Sequence, residues 1–142
     1  MIEGRFGDTT GAPYIEARIF FPRLRLRGLV SFLVDTGATV TIVMPADSKK
    51  LGVDFASLRN PTINEGLGGP AQAFKESAIL SFTDRRYVFS YLITVRISAL
   101  AHHQRFPSLL GRDILRSGRL IVDRTKRNVT FTPYMWSLRQ MI

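Results

Sequence analysis

The chain has 142 residues, of which 45% are hydrophobic and 22% charged, with a formal net charge of +9. That length fits one domain with a sizeable core, and no apolar run approaches the ~20 residues of a membrane span. The absence of cysteine excludes disulfides, thiol nucleophiles and cysteine-based zinc sites.

The opening Met1-Ile2-Glu3-Gly4-Arg5 resembles the tail of a protease-cleavable tag. That stretch is therefore left out of the fold reading, and residues 1–13 are set apart as a leader that contains the tag remnant. Tyr14 to Phe21 and Gly28 to Val34 are rich in strand formers. Between them, Arg23-Leu24-Arg25-Leu26-Arg27 alternates arginine with leucine, which on a strand puts all three arginines on one solvated face. Sixteen Arg against four Lys make the chain basic, but they are scattered, so a nucleic-acid partner is not expected. A short strand is expected at Val40 to Val43. Pro45 then opens a helix that Gly52 stops.

Asn64 to Pro70 holds Gly66, Gly68 and Gly69 and reads as a hairpin tip between strands. Ala78 to Phe82 and Tyr87 to Ile97 are the next strands. Asp113 to Ser117 can form one or two helical turns, with Asp113 near the start as a cap and Gly118 at the end. Leu120 to Val122 and Val129 to Phe131 close as a hairpin. The pattern predicts one all-β domain over residues 14–132 with one or two short helices, and a C-terminal extension over 133–142. In that extension, Tyr134, Met135, Trp136, Leu138, Met141 and Ile142 serve packing or an interface.

One carboxylate stands out. Asp35 directly follows the apolar Phe32-Leu33-Val34, so it sits at the mouth of the core and is partly desolvated. Gly37 permits a tight turn whose N–H groups face the carboxylate, and Thr36 adds a hydroxyl. Taken alone, an aspartate before glycine is equally a structural turn.

Three segments in order resolve that ambiguity: Asp35-Thr36-Gly37-Ala38, then Gly66-Leu67-Gly68-Gly69, then Leu109-Leu110-Gly111-Arg112. Together they resemble the retropepsin-like aspartic proteases, the retroviral type and its cellular relatives, over about Tyr14 to Phe131. The resemblance implies a closed β-barrel that dimerises about a two-fold axis, with Asp35 of each chain forming the catalytic pair. It implies that Thr36 bonds across the pair and that Gly37 lets substrate approach. Gly66, Leu67, Gly68 and Gly69 would form a flap over a bound peptide. Leu110 and Gly111 would pack beneath the active-site loop, and Arg112 would support it. No metal or cofactor is implied. A second in-chain copy is missing: Asp8-Thr9-Thr10-Gly11 has an extra residue and no apolar strand before it, and reads as a turn. A homodimer therefore completes the site.

Two departures matter. Retroviral members commonly carry an Asp after the alanine, paired with the Arg of the Gly-Arg segment; here position 39 is Thr39, so Arg112 needs another partner. Ala38 offers no hydroxyl to the outer carboxylate oxygen, unlike the Ser or Thr of pepsin-like sites, and activity is expected to extend from mildly acidic toward neutral pH. Side-chain pockets are expected to involve Val34, Leu67 and Ile97. His102-His103 lacks partners at ligand spacing and reads as an exposed loop pair rather than a metal site. The functional expectation is an endopeptidase cutting extended peptides. The alternative is a catalytically silent domain of the same fold that binds peptide or protein. The cytoplasm is the expected location, with an upstream anchor left open.

Overall fold

A computed structural model of the chain describes residues 1–64, 69–134 and 139–141. Its strands are β1 (Ile2–Glu3), β2 (Arg5–Phe6), β3 (Pro13–Phe21), β4 (Leu26–Val34), β5 (Ile42–Val43), β6 (Asn60–Asn64), β7 (Ala71–Thr83), β8 (Tyr87–Ser98), β9 (Leu109–Leu110), β10 (Gly118–Asp123), β11 (Asn128–Pro133) and β12 (Arg139–Met141). Two short helices, α1 (Pro45–Leu51) and α2 (Arg112–Leu115), interrupt them.

Alternation drives the architecture. In β3, Ile15, Ala17, Ile19 and Phe21 are buried while Glu16, Arg18 and Phe20 face outward, the period-two pattern of a half-buried strand. β3 lies between β4 and β7, and β7 pairs in turn with β8. β8 runs parallel to β5, β5 pairs with β9, and β9 runs parallel to β4. The β7–β8 pairing therefore closes a six-stranded barrel β8-β5-β9-β4-β3-β7. Closure leaves few free edges. Phe21, Phe32, Phe82, Leu80, Ile97 and Leu110 fill the interior. A second sheet, β1-β11-β10, is built on the predicted closing hairpin.

Several expectations need correction. The Met1–Arg5 stretch, left out of the fold reading, joins the fold. β1 pairs with β11, β2 pairs with β3, and Ile2 is buried in the core. Gly4 donates its N–H to the Val129 carbonyl at 2.7 Å. The Asp8–Gly11 segment is a turn, as expected, with Gly11 at φ 66°. The arginine stretch is not a strand face either: residues 22–25 form the β3–β4 turn, with Arg25 at φ 55°. Arg23 folds back to pair with the buried Glu76 at 2.6 Å and to donate to the Ser57 carbonyl at 3.0 Å. Pro22 sets that turn, which takes precedence over the alternating pattern that follows.

α1 begins at Pro45 and ends at Gly52 with φ 87°, as the sequence predicts. Gly118, expected to stop the second helix, instead opens β10. A Cβ there would lie 2.6 Å from the Thr132 carbonyl oxygen, so glycine is required by the close approach of β11. β7 extends seven residues earlier than predicted, starting at Ala71 rather than Ala78. Of the C-terminal extension, residues 139–141 pair with β8, and Tyr134 is 46% exposed. Met135, Trp136, Leu138 and Ile142 lie outside the described residues. Among the described residues, no helix is long and apolar enough to cross a membrane.

Candidate active site

β4 carries the chain out of the core and delivers Asp35 at its end. Parallel pairing of Leu33 and Val34 with Leu109 and Leu110 fixes that strand end, and Asp35 N–H donates to the Leu110 carbonyl at 3.0 Å. The Asp35 side chain is half-buried. Its Oδ1 accepts the Gly37 N–H at 2.9 Å, and the Ala38 N–H donates to its carbonyl at 3.2 Å. A Cβ on Gly37 would stand 3.1 Å from Asp35 Oδ1, so any larger residue would crowd the carboxylate.

The Leu110-Gly111-Arg112 segment, distant in sequence, lies directly behind this loop. A Cβ on Gly111 would meet the Val40 carbonyl carbon at 2.5 Å and the Ala38 oxygen at 3.0 Å. Only glycine lets the two backbones approach so closely. Arg112 N–H donates to the Ala38 carbonyl at 2.9 Å. The Arg112 guanidinium donates to the Thr36 carbonyl at 2.9 Å and to Thr39 Oγ1 at 3.2 Å. The partner that Arg112 needed is therefore a backbone oxygen and the hydroxyl of Thr39, the same residue that occupies the departing position.

Sequence reasoning missed the second fastening. Asp113 lies within the first turn of α2, where the residue at the cap position is Gly111, so the cap assignment is corrected. Its carboxylate accepts the Thr41 N–H at 3.0 Å and the Thr41 hydroxyl at 2.8 Å. Thr41 is fully buried and its Oγ1 also accepts the Gly111 N–H at 3.2 Å. The signal available in the sequence was a threonine six residues after Asp35, but nothing marked it as facing inward.

Asp35 opens into a cavity of about 660 Å³ lined by Gly37, Ala38, Thr39, Val40, Ile42, Ile63, Asn64, Arg96 and Leu109. Neither Val34 nor Ile97 is among these residues. Ile97 points into the core and is fully buried, while its neighbour Arg96 faces the cavity. A one-residue step along a strand reverses the face. Of the glycine segment, Gly66, Leu67 and Gly68 lie outside the described residues, and Gly69 has φ 90°. The flanking strands β6 and β7 pair up to Asn64 and Ala71, and the Ile63–Asn64 end of β6 borders the cavity that contains Asp35.

His103 is not an exposed loop residue. It sits in a 3-10 turn over Ala101–Arg105, with Nδ1 2.8 Å from Ser98 Oγ and its ring edge-on to Phe106. Among the described residues, no cluster of His, Asp or Glu could hold a metal ion.

Comparison with known proteins agrees with this geometry. Across its full length, the chain superposes on 92% of a retropepsin-like aspartic protease from Rickettsia conorii, with TM-score 0.56 at 19% identity. Over 82% of its length, it superposes on 98% of the EIAV protease solved with the inhibitor HBY-793, with TM-score 0.55 at 19% identity. These likenesses establish the retropepsin-like fold. No curated protein matches the sequence significantly. Residues 27–114 match the aspartyl protease family model, a span that starts at Arg27, includes the Asp35 loop and ends within α2. The chain belongs to the aspartyl protease family.

Proposed function

We propose that this protein is an aspartic endopeptidase active as a two-fold homodimer, with Asp35 of each protomer forming the catalytic pair. The observation that carries the reading is the mounting of Asp35. A half-buried carboxylate at a strand end opens into a cleft, and its loop is bonded from behind by Arg112 and Asp113. Asp35 is the one carboxylate lining that cleft among the described residues, whereas the chemistry needs two.

Bringing two copies together about the Asp35 loops would place two carboxylates close enough to share one proton. The ionised member takes a proton from a water held between them, and the water oxygen bonds to the substrate carbonyl carbon. The protonated member hydrogen-bonds the carbonyl oxygen as it gains charge. Collapse of the tetrahedral species breaks the C–N bond, with a proton passing to the departing nitrogen. Thr36, exposed in the single chain, is assigned to bond across the two-fold axis. Gly37 leaves room for the substrate backbone. The glycine segment Gly66 to Gly69, which follows β6 and precedes β7 in sequence, is assigned as the flap that covers the peptide and excludes water.

Digestion of a diverse peptide pool by the wild-type chain and by Asp35→Asn tests this reading. Wild type cleaves, with specific activity rising with concentration as the dimer forms. Asp35→Asn keeps the fold, since an amide oxygen also accepts the Gly37 N–H, and loses at least ~10³-fold in rate. Equal cleavage by both proteins ends the assignment, and cleavage by a demonstrated monomer ends the dimer.

A further inference from the structure

Arg96 is out of keeping with the rest of its cavity. The surrounding wall is mostly apolar, from Val40, Ile42, Ile63 and Leu109. Arg96 is half-buried on β8, opposite Ile42 of β5 in the parallel register. One guanidinium nitrogen donates to Asn64 Oδ1 at 2.8 Å and reaches the Ile63 carbonyl at 3.4 Å. Both acceptors are neutral, so neither compensates the charge. Nε and the other terminal nitrogen have no hydrogen bond among the described residues. The ion pairs there are Met1–Asp84 and Arg23–Glu76, neither of which involves Arg96.

The sheet register adds to the imbalance. Arg96 stands directly opposite Lys75 on the antiparallel β7, so two cations share one face of the sheet, an unfavourable pairing in the absence of an anion. A half-buried guanidinium with open donors is suited to a carboxylate, which it can grip with two parallel hydrogen bonds. Asp35 is the one carboxylate lining the cavity among the described residues, and it is occupied by the reaction proposed above.

We infer that Arg96 is a specificity-determining residue that selects peptides with a glutamate side chain in the subsite between β5, the end of β6 and β8. The methylenes of the glutamate would pack on Ile42 and Ile63 while its carboxylate meets the open guanidinium edge. This inference rests on the peptidase reading, because it assigns a substrate to the same cleft.

The test uses fluorescein-labelled octapeptides with one hydrophobic cleavage pair, each flanking position carrying Glu, Gln, Leu or Lys in turn. At one position, wild type favours Glu over Gln by about tenfold in kcat/KM, the size expected for a charge-assisted hydrogen bond, and the difference lies mainly in KM. Arg96→Leu removes that ratio, Arg96→Lys keeps part of it, and Arg96→Glu turns the preference toward a Lys peptide. Because each ratio is taken within one variant, a general loss of activity does not affect it. A wild-type ratio near one at every position, or an unchanged ratio in Arg96→Leu, overturns the inference. If wild type cleaves nothing, the peptidase reading fails, and fluorescence anisotropy then decides the inference separately. Asp35→Asn binding the Glu peptide more tightly than the Gln peptide, with the difference lost in Asp35→Asn/Arg96→Leu, supports it. Equal or absent binding refutes it.

Discussion

The Asp113 carboxylate receives both the backbone N–H and the hydroxyl of Thr41, 72 residues earlier in the chain, at 3.0 and 2.8 Å. This contact ties α2 to the segment leaving the Asp35 loop. Since Thr41 is fully buried, no solvent would replace the lost partner. Asp113→Ala is therefore expected to cost ~2–3 kcal/mol through two unsatisfied donors. Asp113→Asn, which can keep one acceptor, should cost less. Denaturant unfolding of the three proteins checks the order, and an Asp113→Ala midpoint equal to wild type would contradict it.

Gly111→Ala should be more damaging than its size suggests. The added Cβ would lie 2.5 and 2.6 Å from the carbonyl carbon and oxygen of Val40, which are backbone atoms with no rotamer to escape into. We expect a loss of ~3 kcal/mol or more, or a displaced Asp35 loop. Thermal unfolding and peptide cleavage together measure both, and retention of both would show that the two backbones can separate to admit a methyl group.

Thr39→Asp restores a carboxylate at the position where Arg112 now finds a hydroxyl, 3.2 Å away. Both residues are exposed, so the new ion pair should add no more than ~1 kcal/mol, decreasing with salt. The gain should vanish in Arg112→Leu/Thr39→Asp, as a double-mutant cycle would read.

Asp84 gives the fold an acid-sensitive contact. Burial opposes its ionisation, but the Met1 amine and the backbone N–H groups of Arg86 and Tyr87 outweigh it and lower the pKa from 3.8 to about 2. A carboxyl with a depressed folded pKa contributes stability that is complete above its unfolded value. That contribution is lost as pH falls through the folded value. Wild type should therefore exceed Asp84→Asn in stability at pH 5 and above, and the gap should narrow between about pH 4 and pH 2. A gap constant over that range would remove the linkage.

The sequence by itself determined the elements whose cause is local. A run of strand formers specified β3, Pro45 and Gly52 bracketed α1, and the Asp35-Thr36-Gly37 loop, with the glycines and Leu109-Leu110-Gly111-Arg112 after it, identified the fold. Tertiary structure decided what depends on which face meets which neighbour. It turned Arg23 from a solvated strand face into a partner for Glu76, drew Ile2 into the core, and made Asp113 a fastening rather than a cap. It also exchanged Ile97 for Arg96 in the cleft. In each case a polar group's role depends on a partner tens of residues away, and closure of the barrel, not the local pattern, brings the two together.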